Sequence, residues 1–154
     1  MLYFAYGSNM DWAQMQQRCP SACFLHRATL RDRQLAFTRK SIGRGCGVAD
    51  VVRAVGERVW GVVYEIEETE LGKLDECEGY QPCRDRNAYW RRTCTVFLDD
   101  DAQNPLACSS YFATPQPEPP LPSRAYVQHL LDGARHWGLP TEYIGQLEAI
   151  AADG

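Results

Sequence analysis

The amino-acid sequence predicts an α+β fold: a small mixed, barrel-like β-sheet with flanking helices. Six or seven short segments carry the apolar patterns of strands, whereas the longer helical patterns come late in the chain. A chain of 154 residues, 45% of them hydrophobic, is also the right size to bury one core. We therefore expect a single domain over residues 1–154, and the order of the strands stays open.

The first half of the chain supplies most of the predicted strands. Residues 2–6 are rich in aromatic side chains and end at a glycine, which is typical of a strand followed by a turn. Asp11 can cap a short helix through Gln17, which Pro20 stops. Three further strands are predicted at 23–30, 33–38 and 48–52. Residues 59–66 are apolar on both alternating faces, so this strand should be central and buried on two sides.

The second half begins with a helix that places a glutamate at its end. Residues 69–77 fit a short helix with Leu71 and Leu74 on one face. Gly79 stops this helix in the usual position, which leaves Glu78 at the C-terminal end. The remaining elements begin with a hairpin of two strands at 89–98 and 108–114. A proline-rich connector at 115–122 follows, and two capped helices at 123–138 and 141–150 complete the chain.

Composition and motifs argue against several classes of function. The formal net charge is −4, and the seven cysteines are irregularly spaced without a Cys-x-x-Cys pair, so neither a disulfide framework nor a metal site is predicted. No phosphate loop or dinucleotide-binding fingerprint is present. No apolar run reaches the roughly 18 residues of a membrane span, and the N-terminus lacks a signal-peptide pattern. We expect a soluble, cytoplasmic protein without cofactor or membrane partner, whose cysteines are buried or half-buried thiols.

A basic segment at 27–44 raises nucleic-acid binding as an alternative function. Its cations are Arg27, Arg31, Arg33, Arg39, Lys40 and Arg44. The arginines alternate with apolar residues, as on the solvent-facing side of an antiparallel sheet. No stacking aromatic residues interleave with them, as a single-strand binder would need. We therefore favour the sheet face and expect no nucleic-acid partner.

Two short motifs are candidates for chemistry. The first strand runs straight into Tyr6-Gly7-Ser8-Asn9, whose backbone N–H groups can converge on a carboxylate or an oxyanion if Gly7 takes a positive φ. An ordinary turn is the alternative. Glu78 faces the negative end of a helix dipole, which raises its pKa and suits a group that accepts a proton and later returns it. A solvated surface glutamate is the alternative there.

In this order along the chain, the motifs resemble the γ-glutamylcyclotransferase (AIG2-like) family. The similar segments are 2–9, 59–64, 74–79, 110–111, the proline stretch 115–122, and 138–143. The resemblance implies a small barrel-like α+β fold, no metal or cofactor, and release of 5-oxoproline and a free amino acid or amine from a γ-glutamyl compound. By position, Glu78 matches the family's catalytic glutamate. The residues that match its substrate-binding positions are Tyr6, Gly7, Ser8, Asn9, Tyr89 and Tyr111.

The implied reaction fits elementary chemistry. The α-amine and the γ-carbonyl belong to one molecule, so closure of the five-membered ring needs no protein nucleophile. The α-ammonium must lose a proton and the leaving nitrogen must gain one, and one carboxylate can perform both transfers. We expect Glu78 to do so while the loop amides hold the α-carboxylate or the oxyanion.

The identity of the leaving group is the main open question. The loop at 80–88 looks longer and more basic than in the animal enzymes, and its Arg84 and Arg86 can favour an anionic leaving group. Narrower alternatives are a cyclotransferase specific for a γ-glutamylamine or a γ-glutamyl-protected metabolite. A different class is a γ-glutamyl-binding module without turnover. The expected partner is a small-molecule γ-glutamyl substrate, and a homodimer is left open.

Overall fold

Two long antiparallel strands dominate the structure, a computed structural model that describes residues 1–153. They pair from Cys23 opposite Glu65 to Lys40 opposite Gly47. The strands are, in chain order, β1 (Leu2–Ala5), β2 (Cys23–Lys40), β3 (Gly47–Glu65), β4 (Tyr89–Leu98) and β5 (Pro105–Ala113). The helices are α1 (Trp12–Arg18), α2 (Leu71–Cys77), α3 (Arg124–His136) and α4 (Thr141–Asp153), with 3₁₀ turns at Ser8–Met10 and Glu68–Glu70.

The five strands close into a mixed barrel in the order β1-β3-β2-β4-β5. Neighbouring strands are antiparallel except β1 and β5, which are parallel and meet at Tyr3 and Ser109. The predicted hairpin is β4 and β5, although β5 begins at Pro105 rather than at residue 108. The predicted α+β fold, with a small mixed, barrel-like sheet and flanking helices, is confirmed.

The number of strands was predicted wrongly, because two pairs of predicted strands are continuous. Residues 23–30 and 33–38 belong to β2, and residues 48–52 and 59–66 belong almost entirely to β3. The pairing shifts between Arg31 and Arg33, where Asp32 has a φ of 58°. The carboxylate of Asp32 accepts a hydrogen bond from the amide of Gly56 on the facing strand, at 3.0 Å. A bulge bends a strand without ending it, so turn-like residues do not mark an element boundary here.

The middle of the core is the second half of β3, as its sequence predicts. Val59, Val62, Val63 and Tyr64 are all fully buried. This half of β3 pairs with β1 on one side and with β2 on the other. Because every face of the strand meets protein, alternation of apolar and polar residues is lost in this stretch.

Two of the helices, α1 and α3, begin at the predicted caps. The carboxylate of Asp11 accepts a hydrogen bond from the amide of Ala13 at 3.1 Å, and the hydroxyl of Ser123 accepts one from the amide of Tyr126 at 3.1 Å. None of the helices within residues 1–153 has the length and apolar content that crossing a bilayer would require.

All seven cysteines are free thiols. Four are buried or half-buried, as expected. Cys23, Cys77 and Cys83 are exposed, so the expectation was wrong for these three.

Candidate functional site

The residues singled out from the sequence surround one small cavity, which we call the inner cavity. Its volume is about 40 Å³. The predicted residues on its walls are Tyr6, Gly7, Ser8, Asn9, Glu78, Tyr89 and Tyr111. Tyr3, Ala49 and Tyr126 complete the walls and were not predicted. The fold therefore brings all the predicted positions to one place.

The barrel explains how distant residues meet there. Strand β1 lies between β3 and β5, so its end delivers Tyr6 next to both of these strands. The hydroxyl of Tyr6 donates a hydrogen bond to the backbone oxygen of Tyr111 on β5. The hydroxyl of Tyr89, at the start of β4, donates to the backbone oxygen of Ala49 on β3. Backbone acceptors on neighbouring strands thus fix the positions of these tyrosines.

Glu78 is placed by the end of α2, which has the predicted glycine cap. Gly79 has a φ of +66°, a conformation that favours glycine. Its amide donates to the oxygen of Glu76 at 3.0 Å, and the amide of Tyr80 donates to the oxygen of Asp75 at 2.9 Å. These two hydrogen bonds form a Schellman motif, which closes the last turn of the helix. Glu78 is consequently fixed as the residue that ends the helix.

Asn9 holds the side chain of Glu78. Its Nδ2 donates to Glu78 Oε1 at 3.1 Å and to the Tyr3 hydroxyl at 3.0 Å. Its Oδ1 accepts from Gln14 Nε2 at 2.9 Å and from Arg18 Nη1 at 3.0 Å. Asn9 is 2% exposed, and all four hydrogen-bonding positions of its carboxamide are used. Its predicted role as a substrate ligand stays a prediction, and the geometry adds the role of positioning the carboxylate.

The electrostatics of Glu78 suit a proton acceptor that also donates. Its side chain is 16% exposed, and burial raises its pKa above the usual range. Arg18, whose Nη1 lies 3.9 Å from Oε1, opposes this shift together with Arg44 and the hydrogen bond from Asn9. The position of Glu78 at the end of a helix also predicts a raised pKa, but burial is the leading cause of the shift. A raised pKa makes the carboxylate a better proton acceptor, and the acid that forms can return the proton.

The tyrosines of the inner cavity are neutral. Burial raises the pKa of Tyr6, Tyr89 and Tyr111. Their hydroxyl hydrogens are already donated, that of Tyr111 to Asp75 Oδ1 at 2.6 Å. The phenolic oxygens can still accept hydrogen bonds, for example from an ammonium group.

Asp75 is a hydrogen-bond partner of Tyr111 that was not predicted from the sequence. It is 6% exposed, and it accepts hydrogen bonds from Tyr111 and from Arg91 Nη1 at 3.1 Å. Asp75 lies three residues before Glu78, so both carboxylates occupy one side of α2. That spacing is the signal that could have identified it.

Gly7 differs from the expectation in its backbone conformation. Its φ is −109° and its ψ is −141°, so the predicted positive φ was wrong. The space around it explains why a glycine is present: an added Cβ would lie 3.3 Å from the Cβ of Ala49 and 3.6 Å from the Tyr126 hydroxyl. Within residues 1–153, the amides of Gly7 and Ser8 donate to no protein acceptor. These two amides can therefore donate hydrogen bonds to a ligand, as predicted for this segment.

A second, larger cavity opens beside the first, and we call it the outer cavity. It has a volume of about 310 Å³. The residues shared by both cavities are Ser8, Glu78, Tyr89 and Tyr126. The outer cavity is lined by four cations, Arg18, Arg39, Lys40 and Arg44, and by the carboxylates of Glu76 and Glu78. Glu78 thus lies where a small tyrosine-lined space meets a larger basic one.

The basic character of the outer cavity comes from 27–44 and from α1, not from the loop at 80–88. Arg84 donates to Asn87 Oδ1 at 3.0 Å and to the backbone oxygen of Gly79 at 3.2 Å. Neither Arg84 nor Arg86 lines the inner or the outer cavity. The idea that these two arginines contact a leaving group is therefore not supported.

The remaining arginines of the basic segment have other partners. Arg27 Nε lies 2.6 Å from Asp99 Oδ1, and Arg31 Nη2 lies 3.1 Å from Asp100 Oδ1. Arg33 lies over the ring of Phe112. The segment is consequently divided between three arginines with other partners and the three cations that line the outer cavity.

Gln14 connects the two cavities and was also missed. Its Nε2 donates to the Ser8 hydroxyl at 2.8 Å as well as to Asn9, and its Oε1 accepts from Arg44 Nη2 at 2.7 Å. Gln14 and Arg18 are one turn apart on α1, directly after the Tyr6-Gly7-Ser8-Asn9 segment, and this spacing could have indicated them. Among residues 1–153, no group of three or more His, Cys, Asp or Glu side chains is arranged to hold a metal ion.

Several known proteins that are similar in sequence or in fold are named gamma-glutamylcyclotransferase. The profile of the AIG2-like family matches residues 58–147. The chain is 35% identical over 154 residues to a Homo sapiens protein named gamma-glutamylcyclotransferase, covering 97% of this chain and 78% of that protein. A Bos taurus protein of the same name is 34% identical, with the same coverage. A solved structure named gamma-glutamyl cyclotransferase has a TM-score of 0.86 at 33% identity, covering 97% of this chain and 86% of that one.

Proposed function

The chain belongs to the γ-glutamylcyclotransferase (AIG2-like) family, and from this premise we propose that it converts a γ-glutamyl amide into 5-oxoproline and a free amino acid or amine. The observation that carries the proposal is the position of Glu78. Its carboxylate is held by Asn9 at 3.1 Å, at the junction of a small tyrosine-lined cavity and a larger basic one.

We assign the γ-glutamyl group to the inner cavity. The oxygens of Tyr6, Tyr89 and Tyr111 can accept hydrogen bonds from the α-ammonium group, because their own hydrogens are donated elsewhere. The amides of Gly7 and Ser8 are free to bind the α-carboxylate or the oxygen of the γ-carbonyl. The α-ammonium group and one of the two acceptor groups of the γ-glutamyl moiety then have partners of the right chemistry.

Glu78 performs both proton transfers. It first takes a proton from the α-ammonium, so that the nitrogen lone pair attacks the γ-carbonyl carbon and closes the five-membered ring. The tetrahedral intermediate collapses when the bond to the departing nitrogen breaks. Glu78 returns this first proton to that nitrogen, so that it departs as a neutral amine. The ring nitrogen still carries two hydrogens and loses the second as a proton, which the departing amine takes up to become an ammonium, and Glu78 is carboxylate again at the end of the cycle. The raised pKa of Glu78 makes its carboxylate a better proton acceptor than a fully solvated one.

The residues around the cavities do not favour a protein nucleophile. The hydroxyl of Ser8 accepts a hydrogen bond from Gln14, and Cys77 is exposed on the wall of the outer cavity. No histidine within residues 1–153 lines either cavity to activate them. Intramolecular attack by the substrate's own amine needs no such activation.

The proposal is tested with two isomeric dipeptides. Incubation with γ-glutamyl-alanine should release 5-oxoproline and alanine in equal amounts, measured by mass spectrometry. The α-linked isomer should release neither, because its γ-carboxyl group carries no leaving amine. Glu78→Gln protein purified in parallel controls for contaminating activity. Absence of 5-oxoproline from γ-glutamyl-alanine and from a panel of other γ-glutamyl amino acids and γ-glutamylamines would refute the proposal.

A further inference from the structure

The outer cavity carries positive charge that the protein itself does not neutralise. Of its four cations, Arg18 lies near Glu78, at 3.9 Å. Arg39, Lys40 and Arg44 form no ion pair with a side-chain carboxylate of residues 1–152.

Two of these cations are nevertheless held in place, by neutral groups. Arg39 Nη1 donates to the backbone oxygen of Thr114 at 2.8 Å and to that of Ala88 at 3.4 Å. Arg44 donates to Gln14 at 2.7 Å, and its guanidinium lies 5.1 Å from the centre of the Tyr126 ring. Neutral acceptors orient a guanidinium group without cancelling its charge, so the cavity stays attractive to anions.

The geometry of the reaction decides which part of the substrate meets this charge. Glu78 returns a proton to the departing nitrogen, so that nitrogen must lie beside Glu78 at the junction of the cavities. The γ-glutamyl group occupies the inner cavity, and the rest of the leaving group must extend into the outer one. This step rests on the proposed function.

We propose that the outer cavity selects a leaving group with two carboxylates, so that the preferred substrates are γ-glutamyl derivatives of acidic amino acids. A single carboxylate can engage one or two of the three unpaired cations, whereas an uncharged amine engages none. A volume of about 310 Å³ accommodates a group the size of an amino acid. The carboxylate of Glu76 is exposed at the wall and does not pair with the cations.

The sharpest test uses two substrates of the same shape that differ by one charge, γ-glutamyl-glutamate and γ-glutamyl-glutamine. Release of 5-oxoproline gives kcat and KM for each. We expect kcat/KM to be at least about tenfold higher for γ-glutamyl-glutamate, the factor that one charge-assisted hydrogen bond typically supplies. The difference between the two substrates should lie mainly in KM, and added salt should make this difference smaller.

Variants assign the effect to the cavity. Lys40→Gln removes one unpaired cation whose side chain is exposed, so it should leave folding intact and lower the ratio of the two kcat/KM values several-fold. Arg39→Gln should act in the same direction. Arg86→Gln is the matched control, since Arg86 is exposed on the loop at 80–88 and lines neither cavity. It should keep the wild-type ratio.

The outcomes separate this inference from the proposed function. Turnover of γ-glutamyl-glutamine with a kcat/KM equal to or above that of γ-glutamyl-glutamate would overturn the inference and leave the cyclotransferase activity standing. A ratio unchanged in both Lys40→Gln and Arg39→Gln would also overturn it, because the selection would then arise elsewhere. Failure to release 5-oxoproline from these dipeptides and from γ-glutamyl-alanine would instead refute the proposed function.

Discussion

The inner and outer cavities meet at Glu78 but are built in opposite ways. The inner cavity has a volume of about 40 Å³, and its polar groups are tied to one another by hydrogen bonds between buried residues. The outer cavity has a volume of about 310 Å³, and two of its cations, Lys40 and Arg44, are exposed side chains.

This difference separates two tasks. A group that transfers protons must be held within a fraction of an ångström, which needs a saturated network such as that of Asn9. A group that selects a charged leaving group can act through an electrostatic field to which several cations contribute. Changes in the inner cavity should therefore affect kcat, and changes in the outer cavity should affect KM and the choice of substrate.

The largest effect should come from removing the charge of the Glu78 carboxylate. Glu78→Gln keeps the size of the side chain but cannot accept the ammonium proton, so kcat should fall on the order of 10²-fold or more. KM should change far less, because the tyrosines and the loop amides still hold the γ-glutamyl group. Steady-state release of 5-oxoproline provides the measurement.

Glu68→Gln is the control for that substitution. Glu68 is exposed in the 3₁₀ turn before α2 and lines neither cavity. It should keep wild-type kinetics. A nearly wild-type rate in Glu78→Gln would mean that another group transfers the protons.

A side chain at Gly7 should disturb the inner cavity without unfolding the protein. In Gly7→Val the Cβ would press on Ala49, and the added methyl groups would reach further toward the cavity wall. We expect kcat/KM to fall on the order of tenfold, because the loop amides would be displaced. Circular dichroism checks the fold, and wild-type kinetics in a folded variant would contradict the role given to this segment.

The pH profile should reveal how the outer cavity acts on the inner one. Glu78 must be a carboxylate to accept a proton, so kcat/KM should rise with pH through its raised pKa. The cation of Arg44 lowers that pKa, so Arg44→Gln should move the acidic limb of the profile to higher pH. Arg86→Gln should not move it. The absence of a shift would show that the two cavities are electrically independent, and a shift to lower pH would contradict the expected direction.

The smallest effect concerns stability. Because the pKa of Glu78 is raised in the folded state, the fold favours its protonated form, and this stabilisation is lost as the pH rises through the folded-state pKa. Glutamine resembles the protonated form. Glu78→Gln should therefore have a higher Tm than the wild type at pH 7.5, and the difference should shrink below the unfolded-state pKa of about 4.3. Differential scanning calorimetry at the two pH values checks the sign, and a lower Tm at pH 7.5 would contradict it.

Local patterns in the sequence were enough to predict the capped ends of the helices and the central part of β3. The site residues were grouped by resemblance, since no periodicity shows that Tyr6 and Tyr111 meet across a barrel. The strand count failed at Asp32, because a bulge and a turn use the same residue types. Gly7 was predicted to matter because of a positive φ, and this reason was wrong. The close approach to Ala49 that favours glycine there depends on tertiary packing, which the sequence does not reveal.

Residues that position other side chains of the site were the hardest to predict from the sequence. Gln14, Asp75 and Arg18 were not identified, because their importance lies in hydrogen bonds to Asn9, Tyr111 and Ser8 that only the folded chain forms. The same holds for the outer cavity. Its cations are scattered through 27–44 and α1, and their common orientation follows from the closure of the sheet.

The central claim is that the substrate's own amine attacks its γ-carbonyl and that Glu78 only moves protons. Turnover of γ-glutamyl-alanine in water enriched in ¹⁸O tests this claim most directly, because ring closure consumes no water whereas hydrolysis adds a water oxygen to the γ-carbonyl carbon. The account predicts unlabelled 5-oxoproline and alanine in equal amounts. Release of glutamate that carries ¹⁸O in its γ-carboxyl group would contradict it and would require a hydrolytic mechanism.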